Sequence, residues 1–384
     1  MADVLVLGGG IIGLASAWRL AQAGASVTML DPSPASGASN VAAGMIAPVT
    51  EAHYGEEALL GLNLQSATAW PGFARELEEA AGLPVGYDSS GTLAIAFDPS
   101  DKAALDELHR FQDKLGLESE PIPAVRCRQM EPTLAPSIRG GLNVPFDHQV
   151  DPRLVTQALL AACRARGVVV NSAAVTEILL SKGGFAGVRT DAGERVVAGQ
   201  GVLATGWQAG RVQGLPASAV PPVRPVKGQI LRLRLPASLP RPSRTIRAVV
   251  RGQSVYLVPR PGGDIVCGAT AEELGTDTTV TAGAVYSLLR DAQAVLPILS
   301  EAELAETAAG LRPGSPDNAP MIGPSIVDGL AIATGHYRHG ILLAPVTAAM
   351  IAELLSEGSS SSGSEWARWA AFDPRRFSGE VTQA

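Results

Sequence analysis

Two hydrophobic rhythms divide this chain. Short runs that are apolar at nearly every position (4–7, 26–30, 201–203, 330–334) read as strands buried on both faces, the pattern of a sheet lying under helices. Between them, apolar residues recur every three or four positions and predict helices. These are 14–23; 56–81, with Leu59, Leu62, Ala69, Phe73 and Leu77 on one face and a stop at Gly82-Leu83-Pro84; 101–115, capped by Ser100; 153–166, with Pro152 in its first turn; 283–295; and 340–356. A shorter helical turn is predicted at 126–131, ended by Pro132, and further strands at 91–97, 168–170, 174–180, 187–190 and 195–197, with a turn at Lys182-Gly183-Gly184. From Pro221 the strands lengthen and become rich in Val, Leu and Arg: 229–235, 245–250, 254–259 and 264–268, then a strand-like piece ending at Leu311. No crossover helix fits between most of them, which predicts an antiparallel sheet.

The first strand runs straight into Gly8-Gly9-Gly10-Ile11-Ile12-Gly13, and the second ends in Asp31. In G-x-G-x-x-G the first glycine permits a tight turn, the second lets backbone approach a pyrophosphate, and the third lets helix and strand pack closely. The helix start offers free N–H groups and a positive dipole end to phosphates. Asp31 can accept from both hydroxyls of an adenosine ribose and would repel a 2′-phosphate, which favours FAD or NAD over NADP. The expected fold class is α/β. A Rossmann-type dinucleotide-binding domain of residues 1–50, 151–220 and 313–356 joins a substrate domain, 51–150 and 221–312, built on a large, mainly antiparallel sheet. Residues 357–384 form a tail in which Ser359–Gly363 is a tether and Trp366, Trp369 and Phe372 are expected to dock back on the body.

A length of 384 residues is ample for a full core. The net charge of −7 with no basic stripe argues against nucleic acid as a partner. No apolar run is long enough to span a bilayer, and the N-terminal run is too short for a signal peptide, so a soluble cytoplasmic protein is expected. Cys127, Cys163 and Cys267 have neither metal nor disulfide spacing and read as buried or half-buried thiols in a reducing compartment; no metal site is expected.

Four patches carry candidate chemistry. Ser36 to Met45 is a run of small residues that lets backbone lie against a flat group. Tyr256, in Tyr256-Leu257-Val258-Pro259-Arg260, can offer a hydroxyl from a strand; the bland alternative is a half-buried tyrosine. Arg312, in Gly310-Leu311-Arg312-Pro313-Gly314, sits on a rigid bend, and its planar fork suits a carboxylate; a structural salt bridge is the alternative. In Gly335-His336-Tyr337-Arg338-His339-Gly340-Ile341-Leu342 a strand meets a helix start whose N–H groups would stabilise negative charge on a flavin, while the two histidines read as hydrogen-bonded scaffolding before they read as acid or base.

Taken in order, the fingerprint with Asp31, Ala42-Ala43-Gly44-Met45, Ala204-Thr205-Gly206-Trp207, Val226-Lys227-Gly228-Gln229, and the Tyr256, Arg312 and His336 patches resemble the FAD-dependent D-amino acid oxidase superfamily, and within it the glycine oxidases of bacterial thiamine biosynthesis. The resemblance implies a substrate carboxylate held by Arg312 and Tyr256, with Arg338 at the same cavity, and no residue required as a strong base. It implies FAD contacts from Gly8, Gly10, Ile12, Gly13, Asp31, Ser39, Ala43, Gly44, Met45, Val175, Thr205, Gly206, Trp207, His336, Arg338, Gly340, Ile341 and Leu342. FAD should be noncovalent: no cysteine lies near 310–345 and no histidine precedes Ala42, the places where relatives attach theirs. Ser254 and Ala271 stand where larger side chains can line the pocket. The implied activity is oxidation of glycine, with sarcosine or small D-amino acids as further substrates, to an imine, glyoxylate and peroxide. Molecular oxygen is the acceptor, thiazole synthase a possible partner, and a homotetramer the expected assembly. Rival readings are an amine dehydrogenase with a non-oxygen acceptor, a flavin-binding tRNA-modification subunit and a nicotinamide-dependent opine-type dehydrogenase.

Overall fold

The computed structural model describes residues 2–356 and 369–378; the Ser359–Gly363 tether and Trp366 lie outside the described residues. Val4–Leu7 is buried at all four positions because it sits mid-sheet. The six-stranded sheet has the order Met321–Pro324, Leu330–Thr334, Gln200–Leu203, Val4–Leu7, Val27–Leu30, Val169–Asn171, parallel except for its first strand. Alternation sends Val4 and Val6 to one face, against the helices Ile11–Gln22, Pro152–Ala165 and Ala344–Ser356. It sends Leu5 and Leu7 to the other, against Ile178, Phe185 and Val188 of a three-stranded antiparallel sheet. Of the strands expected in succession after residue 167, the first therefore joins the parallel sheet, while the next three form this separate layer.

The helix Glu57–Ala81 also packs here, placing Leu59, Leu62, Trp70, Phe73 and Leu77 in the same core as Trp18 and Leu159. Division by chain position puts residues 57–81 with the substrate sheet, whereas their apolar face covers the nucleotide sheet. Periodicity reveals a face but not what covers it. Trp369 and Phe372 pack against this core as well.

The second sheet has eight strands: Glu303–Gly314, Arg224–Arg234, Asp264–Gly268, Gln253–Pro259, Thr245–Val250, Thr92–Ala96, Gly140–Val144 and Glu120–Ile122, in that order. Every pairing is antiparallel except Thr245–Val250 with Thr92–Ala96. Arg224–Arg234 begins five residues before the expected 229 because Glu303–Gly314 pairs along its whole length, with Gly228 opposite Gly310 and Val226 opposite Arg312. One face is covered by the helix Ala282–Val295 through Leu288, Ala292 and Val295. The other packs against Ala43 through Ile230, Val258 and Val266, and against Val49 and Leu105 through Ala94 and Ala96.

Two helix starts differ from expectation. Asp98, not Ser100, caps Pro99–Lys114: its carboxylate accepts from the Asp101 amide at 2.9 Å, while Asp101 accepts from the Asp98 amide at 3.1 Å. Proline at the first helical position moves the cap to the residue before it. The last long helix begins at Ala344 rather than 340, after a turn closed by His339 N–H to His336 O and Leu343 N–H to His339 O. All three cysteines are buried. Among the described residues no helix is long and apolar enough to cross a membrane.

Candidate active site

A cavity of about 940 Å³ runs from the glycine fingerprint to the open face of the eight-stranded sheet, near the upper end of the size usual for small-molecule sites. At its nucleotide end the glycines act as the sequence pattern requires. Gly8 has φ +105°, and a Cβ there would lie 2.5 Å from the Ala204 carbonyl. A Cβ at Gly13 would lie 1.9 Å from the Gly8 carbonyl oxygen, so Gly13 presses helix on strand and does not itself line the cavity. Ile11 N–H donates to Ser39 Oγ at 3.0 Å, and the amides of Gly10, Ile12 and Gly13 have no acceptor among the described residues. Asp31 is oriented by two backbone donors, Gly9 N–H at 2.6 Å and Ser33 N–H at 2.7 Å.

Ala43, Gly44, Met45, Val175, Thr205, Gly206 and Trp207 line the cavity beyond the fingerprint. The small-residue segment is fastened from behind by arginines. Arg260 donates to Ala43 O, and Arg153 to Asn40 O at 3.1 Å while it forks onto Glu306 at 2.6 and 3.0 Å. Thr205 Oγ1 is buried with no partner among the described residues. In the turn after Leu330–Thr334, Gly340 and Ile341 line the cavity, and the amides of Gly340, Ile341 and Leu342 have no acceptor among the described residues. Leu342 departs from expectation. It is not on the cavity wall, and its carbonyl accepts from Ser66 Oγ at 2.6 Å and Trp70 Nε1 at 2.9 Å, which ties the turn to the Glu57–Ala81 helix. Unpaired amides at a helix start, an oriented acid on the next strand, an orphaned threonine hydroxyl and a second set of free amides fit the phosphates, ribose and flavin of FAD.

The opposite end of the cavity is made by side chains. Arg312 has no carboxylate within ion-pair reach among the described residues, and its Nη1 donates only to the Thr270 and Lys227 carbonyls, at 3.1 and 3.4 Å. Gly228 makes room for it: a Cβ there would fall 2.3 Å from Arg312 Nη2. Likewise Gly268 passes beneath Tyr256, where a Cβ would be 2.3 Å from the hydroxyl. Burial pushes the Tyr256 hydroxyl up to about 12 against the opposing pull of Arg312, so it remains a proton donor. Tyr337 N–H bonds to Pro313 O at 2.9 Å and thereby brings Arg338 to the same cavity. Arg338 lies 4.6 Å over the Tyr337 ring and 3.3 Å from His53 Nε2.

Neither turn histidine is free. His336 meets Thr347 Oγ1 at 3.0 Å, and burial, reinforced by His339, drives it down to about 3. His339 is buried and held below its ordinary value by that burial, with Glu51 3.7 Å away. Glu51 and Arg247, which the sequence reading passed over, pair at 2.5 Å on the cavity wall. The signal available in sequence was an arginine in the middle of Thr245–Val250, a strand otherwise made of Thr, Ile, Ala and Val. Gly228, His53 and Arg260 were likewise not singled out as site residues.

The chain matches the model of the DAO family, FAD dependent oxidoreductases, over residues 3–354. It is 36% identical over 361 residues to a bifunctional protein ThiO/ThiG of Trichormus variabilis, covering 93% of this chain and 53% of that protein, so it spans about half the length of the first curated relatives it matches. It is 31% identical to a glycine oxidase of Geobacillus kaustophilus over 92% of both chains. The crystal structure of glycine oxidase from that organism superposes with a TM-score of 0.86 at 30% identity, covering 97% of this chain and 98% of the other. With a cavity that fits the cofactor and a family match along almost its whole length, the chain belongs to the FAD-dependent oxidoreductase family.

Proposed function

We propose that this protein is an amino acid oxidase that converts glycine to its imine, with sarcosine and small D-amino acids as further substrates. The observation that carries the reading is Arg312, a guanidinium on the cavity wall with two backbone carbonyls for company and a protonated tyrosine hydroxyl nearby. A charge left uncompensated in this way favours an anionic ligand, and its fork suits a carboxylate. Similarity to glycine oxidases supports the smallest amino acid as substrate.

Arg312 and Tyr256 grip the carboxylate and so fix which Cα–H bond faces the flavin side of the cavity, marked by Met45 on one flank and the Gly340–Ile341 amides on the other. Orientation of this kind supplies much of the catalysis. Held by the fingerprint amides, Asp31 and the Gly340–Ile341 turn, FAD would supply a two-electron acceptor whose reoxidation by dioxygen would give hydrogen peroxide. The substrate amine gives up its proton to solvent, because burial lowers the proton affinity of His336 and His339, which makes them weak bases, and Glu51 is already paired. Water then converts the imine to glyoxylate and ammonia, or the imine enters thiazole formation. Similarity to one half of a bifunctional ThiO/ThiG protein supports the second fate, with thiazole synthase as partner.

The test is the visible spectrum of the purified protein before and after anaerobic glycine. Bleaching that recovers with peroxide when air is admitted is the expected result. A spectrum unmoved by glycine, sarcosine and D-alanine would overturn the substrate assignment.

A further inference from the structure

The cavity-facing side of the eight-stranded sheet stops at an ion pair. A single row of directly paired residues crosses the sheet: Ala308, Ile230, Gly268, Tyr256, Arg247, Ala94. Ile230, Tyr256 and Arg247 line the cavity, whereas Ala94 is only 5% exposed and packs with Val49, Leu105 and Leu142 in a closed core. Arg247 therefore stands where open space gives way to packed interior.

It is pinned in that place. Its Nη1 lies 2.5 Å from Glu51 Oε1 and 3.9 Å from Met45 Sδ, and Glu51 Oε2 lies 3.7 Å from His339 Nδ1. The two side chains are 21% and 13% exposed. A guanidinium already matched by a carboxylate has little left to offer a second anion, which separates it from Arg312. What it contributes to the cavity is bulk. Ser254 and Ala271, also on the wall, are small, so Arg247 is the large group beside Tyr256 on this flank.

We propose that Arg247, held by Glu51, is the wall that limits the substrate's side chain, so the site takes α-amino acids bearing hydrogen or a short unbranched group and excludes bulkier ones. The proposal rests on the amino acid oxidase reading of this same site. With the carboxylate on Arg312 and Tyr256, a Cα substituent reaching along the row meets Arg247 next, because cross-strand neighbours stand only about 5 Å apart at Cβ.

Three holoenzymes test it: Glu51→Gln, which leaves no unpaired buried carboxylate, and Arg247→Ala and Arg247→Met, each made in that background. The measured quantity is kcat/KM for D-valine and D-leucine relative to glycine. Alanine should raise the ratio at least about tenfold over Glu51→Gln alone, and methionine, which keeps length without charge, by less than about threefold. A ratio unmoved by alanine, or moved equally by methionine, overturns the wall. Should the alanine protein fail to accumulate with flavin bound, the unsubstituted holoenzyme carries the test through perturbation of its visible spectrum by acetate, propionate and isovalerate, the last being valine without its amine. Affinity should fall at least about tenfold from acetate to isovalerate, and equal or rising affinity overturns the proposal. Wild-type protein that neither oxidises glycine nor responds to acetate would sink the amino acid oxidase reading itself; glycine oxidation with an unmoved ratio sinks only the wall.

Discussion

The two ends of the cavity are built from different parts of each residue. At the nucleotide end the groups are backbone amides and one acid, all within the single stretch from Gly8 to Asp31, and their placement depends on side chains being absent. At the other end Arg312 comes from the edge strand Glu303–Gly314 and Tyr256 and Arg247 from two adjacent strands further into the sheet, and all three reach the cavity through their side chains. A site made by steric permission fails all at once when a Cβ is added. A site made of charges and hydroxyls loses affinity by degrees.

The largest expected effect lies at the nucleotide end. Gly13→Val puts a side chain where a Cβ alone meets the Gly8 carbonyl oxygen at 1.9 Å. Stability should fall by more than about 4 kcal/mol, and the purified protein should carry no flavin absorbance. Bound flavin with an unchanged denaturation midpoint would break the contrast at its firmer end.

Next is Arg312→Ala, which should keep FAD and lose catalysis. Removing one partner of a buried charge-assisted contact costs roughly 3–4 kcal/mol, or about 10²- to 10³-fold in kcat/KM for glycine, most of it in KM. An unchanged KM would remove Arg312 from the substrate site.

The ion pair beside it sharpens the contrast through pH. Burial by itself would raise the Glu51 carboxyl, but Arg247, with His339 and Arg338 behind it, holds it at about 2 against 4.5 in an unfolded chain. Because the folded value is the lower one, the stabilisation is complete above about pH 4.5 and is lost as pH falls toward 2, on the order of 3 kcal/mol in all. Asp147, which burial pushes up to about 6, has the opposite sign, with stability lost as pH rises from 3.8 to that value, but it is common to wild type and Glu51→Gln. The stability gap between those two proteins should therefore narrow from pH 6 to pH 3. A gap that does not change with pH would show that Glu51 is not the group responsible.

The smallest effect is Tyr256→Phe. Loss of one hydroxyl to a charged carboxylate should raise KM for glycine about tenfold with flavin still bound, roughly 1.4 kcal/mol. Initial rates of oxygen uptake over a range of glycine concentrations check it, and an effect as large as that of Arg312→Ala would mean that the hydroxyl does more than bind.

Legibility followed the same division. Gly8, Gly13 and Asp31 could be assigned tasks from spacing alone, because a strand, a tight turn and a helix start are local events. Tyr256 and Arg312 were visible as residue types on a strand and a bend, with bland alternatives standing beside them, and only the ordered resemblance joined them. Arg247 and Glu51 went unseen: the antiparallel reading of 245–250 and 254–259 leaves the register open, and nothing local in the sequence brings Glu51 beside Arg247 from so far along the chain. The helix Glu57–Ala81 was recognised as a helix, while the core that its apolar face joins was not legible for the same reason.

By itself the sequence determined where backbone must turn, cap and leave amides unpaired, and hence that the chain holds a dinucleotide. Those features depend on φ, on the absence of Cβ and on hydrogen bonds reaching a few residues. Only the tertiary structure decided which arginine stands without a carboxylate and which is neutralised, because Arg312 and Arg247 differ in what distant segments bring beside them: two carbonyls for one, Glu51 for the other.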